Sequence, residues 1–346
     1  MVNKLRKRIK NLKNLFESRN DMFIKKSELI KDFFRIILNG EPYRILHEER
    51  KSFGKNNSNK TFYVIRIYPG AGLLSNYFFV LNQLYYAKSK NWISVVDFMN
   101  YPNYYREQNK INGTKNSWEY YFKQPYEYNL RDVYSSSNVY LSSNSWGDLP
   151  KKLGIKNNFE LLNDSFLLEK LNTINKNIEF NRFTNSYINN KIDQLFADKS
   201  NILGVSLRGT DYANASLSPE HPTPPTVDLC IEKVVEICES KNYEYIYLAT
   251  EQQEYLEKFK QTFGSNLLYF DRYRFKEDEN SNKKIIKRRF ERDNDKYLTG
   301  LDYLTETEGF KKVDFFIGSM NNMTLYLMIK FPNFLNNKFI FDLGKN

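Results

Sequence analysis

The chain has 346 residues, 41% of them hydrophobic and 27% charged. It is too apolar for a disordered polymer and long enough for two domains, since single cores split beyond roughly 250 residues. No run approaches the ~18–20 uninterrupted apolar residues of a membrane-spanning helix, and the start lacks an apolar signal core, so the expected location is the cytoplasm. Cys230 and Cys238 stand eight residues apart with no Cys or His set at metal-ligand spacing, which reads as two reduced core residues. The formal charge of +11 suits any polyanionic partner: nucleic acid, anionic lipid or a phosphate-bearing substrate.

Charge placement separates these partners. Lys4, Arg6, Lys7, Arg8, Lys10 and Lys13 alternate with Leu5, Ile9, Leu12 and Phe16 at helical spacing, the pattern of a basic amphipathic helix. Residues 1–16 therefore either pack as a solvated helix or lie on an anionic membrane surface, at the inner face of the plasma membrane. A second helix is expected over 25–38. Nucleic acid is disfavoured because the positive charge does not follow a stacked aromatic platform.

Thr61–Tyr68 reads as a buried strand, followed by Pro69, Gly70, Ala71 and Gly72, a helix to about Lys88, and a strand at Ile93–Asp97. This order begins a βαβ unit. The loop from Gly70 to Gly72, with Ser75 and Asn76, is either a plain tight turn or a glycine loop that closes over a phosphate. The middle is aromatic, with Trp118, Tyr120, Tyr121, Phe122 and Trp146, and Glu119 lies within it. These rings either fill the core or line a sugar groove. A helical, polar stretch over 159–199 then leads to a boundary near position 195.

The second half alternates regularly. Strands are expected at Ile202–Leu207, Tyr243–Ala249, Leu267–Phe270 and Val313–Ile317, and helices at Val227–Glu239, Gln253–Phe263, Leu301–Phe310 and Asn322–Ile329. A charged insertion separates Arg272 from Lys296. Such alternation predicts a doubly wound parallel sheet with ligands at the carboxyl ends of its strands. The domains expected are 1–40 (basic helices), 41–195 (an α/β domain) and 196–346 (a parallel-sheet domain).

At those strand ends stand Leu207-Arg208-Gly209-Thr210-Asp211-Tyr212, Ala249-Thr250-Glu251 and Gly318-Ser319-Met320-Asn321-Asn322. The planar donor fork of Arg208 suits a diphosphate, and the alternative is a salt bridge to Asp211 that ties the loop. Ser319 reads as a helix N-cap, a position that also serves phosphate binding. Asp293-Asn294-Asp295 spells a metal-binding Asp-x-Asp, but its charged surroundings read as a solvated loop, and no metal is expected.

In order and spacing this set resembles the C-terminal half of the fucosyltransferase superfamily that includes α1,6-fucosyltransferases and protein O-fucosyltransferases. The matching segments are Ser206–Asp211, Ala249-Thr250-Glu251, Asp302, and Asp314-Phe315 running on to Asn322. The resemblance implies a GT-B-like α/β architecture, two Rossmann-like domains facing a cleft, and a bacterial polysaccharide type of glycosyltransferase. It implies an inverting, metal-independent transfer of fucose from GDP-fucose to a glycan or lipid-linked glycan. Arg208 would hold the diphosphate; Thr250, Glu251 and Asp302 would contact guanine or ribose; Thr210, Ser319, Asn321, Asn322, Gly70, Gly72 and Ser75 would complete the donor site. The chain departs from the family at Ser206, where relatives have histidine, and at Gly209, where they have a second arginine. His221, in the proline-bracketed loop 216–226, either packs there or replaces that histidine. Candidates for the base are Asp211, Glu220 and Glu119. Another donor, GDP-mannose or a deoxy-sugar nucleotide, and a non-catalytic basic membrane-surface or nucleic-acid-binding protein are the competing readings.

Overall fold

The computed structural model describes residues 46–101, 103–144, 165–210, 222–276 and 285–344. The expected N-terminal helices, and the segment holding Asp211, Glu220 and His221, lie outside the described residues. The described chain forms two compact units, one from residues up to 144 together with 177–181, the other from 165–176 and 182–344. Among the described residues no helix is long and apolar enough to cross a membrane.

The first unit contains β1 (Glu49–Lys51), β2 (Phe62–Ile65), α1 (Leu73–Ser89), β3 (Ile93–Val96), α2 (Leu130–Val133) and β4 (Val139–Leu141). Its sheet runs β1-β4-β2-β3, with β4, β2 and β3 parallel and β1 antiparallel at the edge. All four residues of β2 are buried, as expected of a central parallel strand covered on both faces. The aromatic stretch is core: Trp118, Tyr120, Tyr121 and Phe122 are all buried, and the Phe122 ring stacks on Trp118 at 4.4 Å and on Phe180 at 5.4 Å. These four rings take the core reading, while Trp146 lies outside the described residues.

The second unit contains α3 (Ser165–Asn175), α4 (Arg182–Phe196), β5 (Ile202–Ser206), α5 (Val227–Lys241), β6 (Tyr245–Ala249), α6 (Gln253–Phe263), β7 (Leu267–Leu268), α7 (Asp295–Gly309), β8 (Phe315–Ser319), α8 (Asn322–Lys330) and β9 (Lys338–Phe341). The five strands are all parallel in the order β7-β6-β5-β8-β9. The chain starts in the middle, winds outward through β6 and β7, then crosses back to lay β8 against the other side of β5. The order reverses between β5 and β8, and this switch point is where open α/β sheets bind ligands.

Several residues fix this arrangement. A Cβ at Gly204 would lie 2.7 Å from Val313 Cγ1 and 2.8 Å from Phe310 Cε1, so the middle of β5 must be glycine for that close packing. Asp314 accepts the Ile202 N–H at 2.8 Å and donates its own N–H to the Ile202 carbonyl at 2.9 Å, which sets the register of β8 on β5. Helix α4 buries Thr184, Ile188, Ile192 and Phe196, one residue per turn on a single face, and packs against α7. At about 1.5–3 kcal/mol for each large apolar side chain, that stripe binds α4 firmly to the second unit. The division of the chain therefore precedes position 195, which falls inside the last turn of α4. Helix α7 starts at Asp295, six residues before the expected Leu301, and takes in the end of the charged insertion.

Candidate functional site

The carboxyl ends of β5 and β6 are joined by one carboxylate. Arg208 follows the buried Leu207 out of β5, and its Nε lies 3.8 Å from Glu251 Oε1. The same oxygen accepts the Gly209 N–H at 3.1 Å and the Thr210 hydroxyl at 3.0 Å. Gln252 Oε1 accepts the Thr210 N–H at 2.9 Å. Thr210 has a φ of 52°, a left-handed conformation unfavourable for a β-branched residue, and these two acceptors hold it there. The ion-pair partner seen for Arg208 is thus Glu251, whereas Asp211 lies outside the described residues. The Glu251 carboxylate is spent on the β5 turn, a use the sequence motif did not suggest for a residue expected at guanine or ribose.

Gly209 has a further reason to be glycine. A Cβ there would stand 1.8 Å from Gln252 Oε1 and 2.9 Å from Tyr255 Cε2, so any side chain, a second arginine included, would have to displace Gln252 from the Thr210 N–H. Arg208 is the guanidinium that the β5 end presents.

Across the switch point, β8 ends at Ser319 and α8 begins. The cap is Asn321: its Oδ1 accepts the Met323 N–H at 2.8 Å and the Thr324 N–H at 3.1 Å. Ser319 instead gives its carbonyl to the Thr324 hydroxyl at 2.6 Å, so the expected N-cap moves two residues along. Asn322 is the first helical residue. The Ser206 hydroxyl donates to Met323 Sδ at 3.1 Å, which brings the start of α8 against the end of β5. Asn321 is buried, and its Nδ2 has no hydrogen-bond partner among the described residues. A buried amide donor without an acceptor costs about 1–3 kcal/mol. Placed at a helix N-terminus, it is suited to an anion.

The charged insertion opens on a buried cluster that sequence reading missed. Arg272 pairs in bidentate fashion with Glu306 of α7, both contacts at 2.7 Å, and Arg274 reaches Glu306 at 3.4 Å. Both guanidiniums also grip the Thr250 carbonyl at the end of β6, at 3.0 and 3.2 Å. Burial pushes the Glu306 carboxyl above its ordinary pKa, and the charges of Arg272 and Arg274 offset that push. No local signal reveals the cluster, because Glu306 lies more than thirty residues downstream in another element.

The remaining expected residues separate. The Thr250 hydroxyl accepts the Gln252 N–H at 3.3 Å, beside Glu251. Asp302, one turn before Glu306 on α7, accepts from Arg292 at 3.1 Å. Gly70, Gly72, Ser75 and Glu119 belong to the first unit. Gly70 has a φ of 79°, the Ala71 N–H is held by Asn76 Oδ1 at 2.8 Å, and the Leu73 N–H at the start of α1 donates to the Tyr105 hydroxyl at 3.0 Å. Ser75 sits in the first turn of α1. The Glu119 carboxylate accepts from Thr114 at 2.7 Å, Asn116 at 3.3 Å and Gln124 at 2.7 Å, which makes it a tie within the aromatic stretch.

The chain is similar in structure to solved fucosyltransferases. One, described as NodZ alpha-1,6-fucosyltransferase soaked with GDP-fucose, aligns over 79% of this chain and 93% of its own with a TM-score of 0.46 and 14% identity. Fucosyltransferase NodZ from Bradyrhizobium aligns over 75% of this chain and 88% of its own with a TM-score of 0.42 and 15% identity. POFUT1 in complex with GDP-fucose aligns over 83% and 99% with a TM-score of 0.44 and 10% identity. These are distant likenesses. No family model matches the chain, and no curated protein matches it by sequence.

The Asp-x-Asp sequence is solvated only in part. Asp293 and Asn294 are exposed, but Asp295 is buried and accepts from Arg292 Nε at 2.8 Å, the Phe290 N–H at 3.1 Å and the Thr299 hydroxyl at 3.3 Å. Its lone pairs serve the start of α7. Among the described residues no group of three or more His, Cys, Asp or Glu side chains is placed to hold a metal ion.

Proposed function

We propose that the chain is an inverting glycosyltransferase that draws its sugar from a nucleoside diphosphate donor, GDP-fucose, and transfers it to a glycan hydroxyl without a metal. The observation that carries this reading is that Arg208, past the end of β5, and the capped start of α8, past the end of the adjacent β8, lie at the same end of the sheet, where Asn321 Nδ2 has no hydrogen-bond partner among the described residues. When the bond from the sugar's anomeric carbon to the phosphate oxygen breaks, negative charge grows on the leaving diphosphate. A guanidinium and fixed amide donors stabilise that charge more than they stabilise the intact donor. The acceptor oxygen attacks from the opposite face, and its proton passes to a carboxylate. Asp211 and Glu220 serve as candidates for that base, since the Glu119 carboxylate already accepts three donors.

The motif order Arg208, Thr250-Glu251, Asp302, Ser319–Asn322 supports guanine over other bases. We propose a cell-surface polysaccharide or lipid-linked glycan as the acceptor, a reading that would suit the basic sequence of residues 1–16 to an anionic membrane surface. Calorimetric titration of GDP, UDP and CDP into the wild type and Arg208→Ala, in EDTA, tests this. GDP binding that is lost in the variant is the expected result. UDP binding, or binding only with Mn²⁺, overturns the donor assignment.

A further inference from the structure

The diphosphate reading above leaves a question of rigidity: Arg208 sits in a turn whose Gly209 and Thr210 N–H groups are held by the side chains of Glu251 and Gln252. We infer that Glu306 is a positioning residue for this turn, acting through Arg272, Arg274 and the backbone of Thr250-Glu251. The relay can be followed atom by atom. Glu306 holds both guanidiniums from α7. Arg272 Nη2 and Arg274 Nε meet on the Thr250 carbonyl, while Arg274 Nη2 holds the Phe270 carbonyl at 2.8 Å. The Phe275 N–H donates to the Glu251 carbonyl at 2.9 Å, and the Gln253 N–H to the Phe275 carbonyl at 3.0 Å, so the peptides on both sides of Glu251 are fixed. Glu251 then fixes Gly209 and Thr210 by its carboxylate.

The expense of this arrangement argues for a purpose beyond packing. Two guanidiniums and one carboxylate, all with side chains at most 5% exposed, are taken out of water, and such buried ion clusters stabilise no better than apolar residues of equal volume. What they supply is orientation, because a guanidinium fork fixes several acceptors in one geometry. Here the acceptors are the carbonyls at the ends of β6 and β7, at the rim of the site. A site residue held to within about half an ångström needs such support behind it.

The inference rests on the proposed diphosphate role of Arg208, and its test separates the two. Arg272→Lys keeps the charge but cannot span Glu306 and the Thr250 carbonyl together; Glu306→Gln keeps the shape and removes the charge. For each variant that retains the wild-type near-ultraviolet circular dichroism, amide exchange is followed in peptides covering 206–210 and 248–253, and affinity is measured for GDP and for guanosine. The expected result is faster exchange at Gly209 and Thr210, and GDP affinity about tenfold weaker, a larger fall than that of guanosine, which lacks the diphosphate held by Arg208. A merely structural role would lower the melting temperature without altering the ratio of the two affinities. Wild-type exchange at 209–210 in folded Arg272→Lys overturns the relay whatever GDP does. Faster exchange in a protein whose wild type binds no GDP keeps the relay and removes the diphosphate reading instead.

Discussion

The Glu251 carboxylate accepts the backbone N–H of Gly209 at 3.1 Å, so a side chain at the end of β6 holds the turn that carries Arg208 out of β5. This contact crosses between neighbouring parallel strands at the one end of the sheet where ladder hydrogen bonds have run out. The turn consequently depends on side chains for its shape, and substitutions there should act on the site before they act on the fold.

Gly209→Ala tests that dependence. The added Cβ would meet Gln252 Oε1 at 1.8 Å, and Gln252 is buried and committed to the Thr210 N–H. Relief requires Gln252 to swing away and leave that N–H unpaired, at a cost of about 1–3 kcal/mol. Urea unfolding should show a loss of that size, and GDP affinity should fall about tenfold or more. Wild-type affinity in Gly209→Ala would mean that the turn tolerates displacement.

Cys230 gives a pH prediction whose sign is fixed. Burial pushes its thiol up to about 12 from an ordinary value of 9.0. Between those values the folded state keeps a proton that the unfolded state has lost, so the contribution of this group to stability is constant below about pH 9 and falls as pH rises toward 12. The slope from this group approaches about 1.4 kcal/mol per pH unit. Cys230→Ala should flatten the alkaline limb of the stability curve by that amount. In the native protein at pH 8, Cys230 should resist iodoacetamide until the chain unfolds.

The second unit was readable from sequence where an element is long and its pattern unbroken. Helix α6 falls on its expected bounds, Gln253–Phe263, and β5, β6 and α8 fall within two residues of theirs. Short strands escaped notice: Glu49–Lys51 and Val139–Leu141 have three residues each, too few to show a period, and Lys338–Phe341 is a short strand without alternation. Ser319-Met320-Asn321-Asn322 offers three capping side chains in four positions, and tertiary contacts choose Asn321. Arg272 and Arg274 read only as the start of a charged insertion because their partner, Glu306, is distant in sequence; a buried charge cannot be inferred from local composition when burial depends on a remote counter-charge.

Asp295 should matter to folding and not to metal. Its carboxylate accepts from Arg292, Phe290 and Thr299 at the first turn of α7, where an acidic group also favours the helix dipole. Asp295→Ala should cost about 2–4 kcal/mol by leaving the Phe290 N–H and the Arg292 guanidinium without this acceptor. Asp293→Ala, at an exposed position, should cost less than about 0.5 kcal/mol. Added Mn²⁺ should leave the melting temperature of the wild type unchanged; a manganese-dependent rise that disappears in Asp293→Ala would restore the Asp-x-Asp site.

Asn321 separates capping from ligand binding, because its two side-chain atoms do different work. Oδ1 accepts from Met323 and Thr324, while Nδ2 has no partner among the described residues. Asn321→Asp keeps an acceptor for both helix N–H groups, and a carboxylate at an N-terminus is favoured by the dipole by roughly 0.3–1 kcal/mol. Burying the second oxygen opposes that gain, so the melting temperature should shift by only a few degrees. Affinity should respond far more, since an acceptor-only oxygen replaces a donor and repels the phosphate, and GDP binding should weaken at least tenfold. Asn321→Ala loses the cap as well and should lower both quantities. If Asn321→Asp binds GDP as tightly as the wild type while Asn321→Ala loses only stability, Asn321 is a cap and nothing more, and the anion must be held by Arg208 and backbone amides alone.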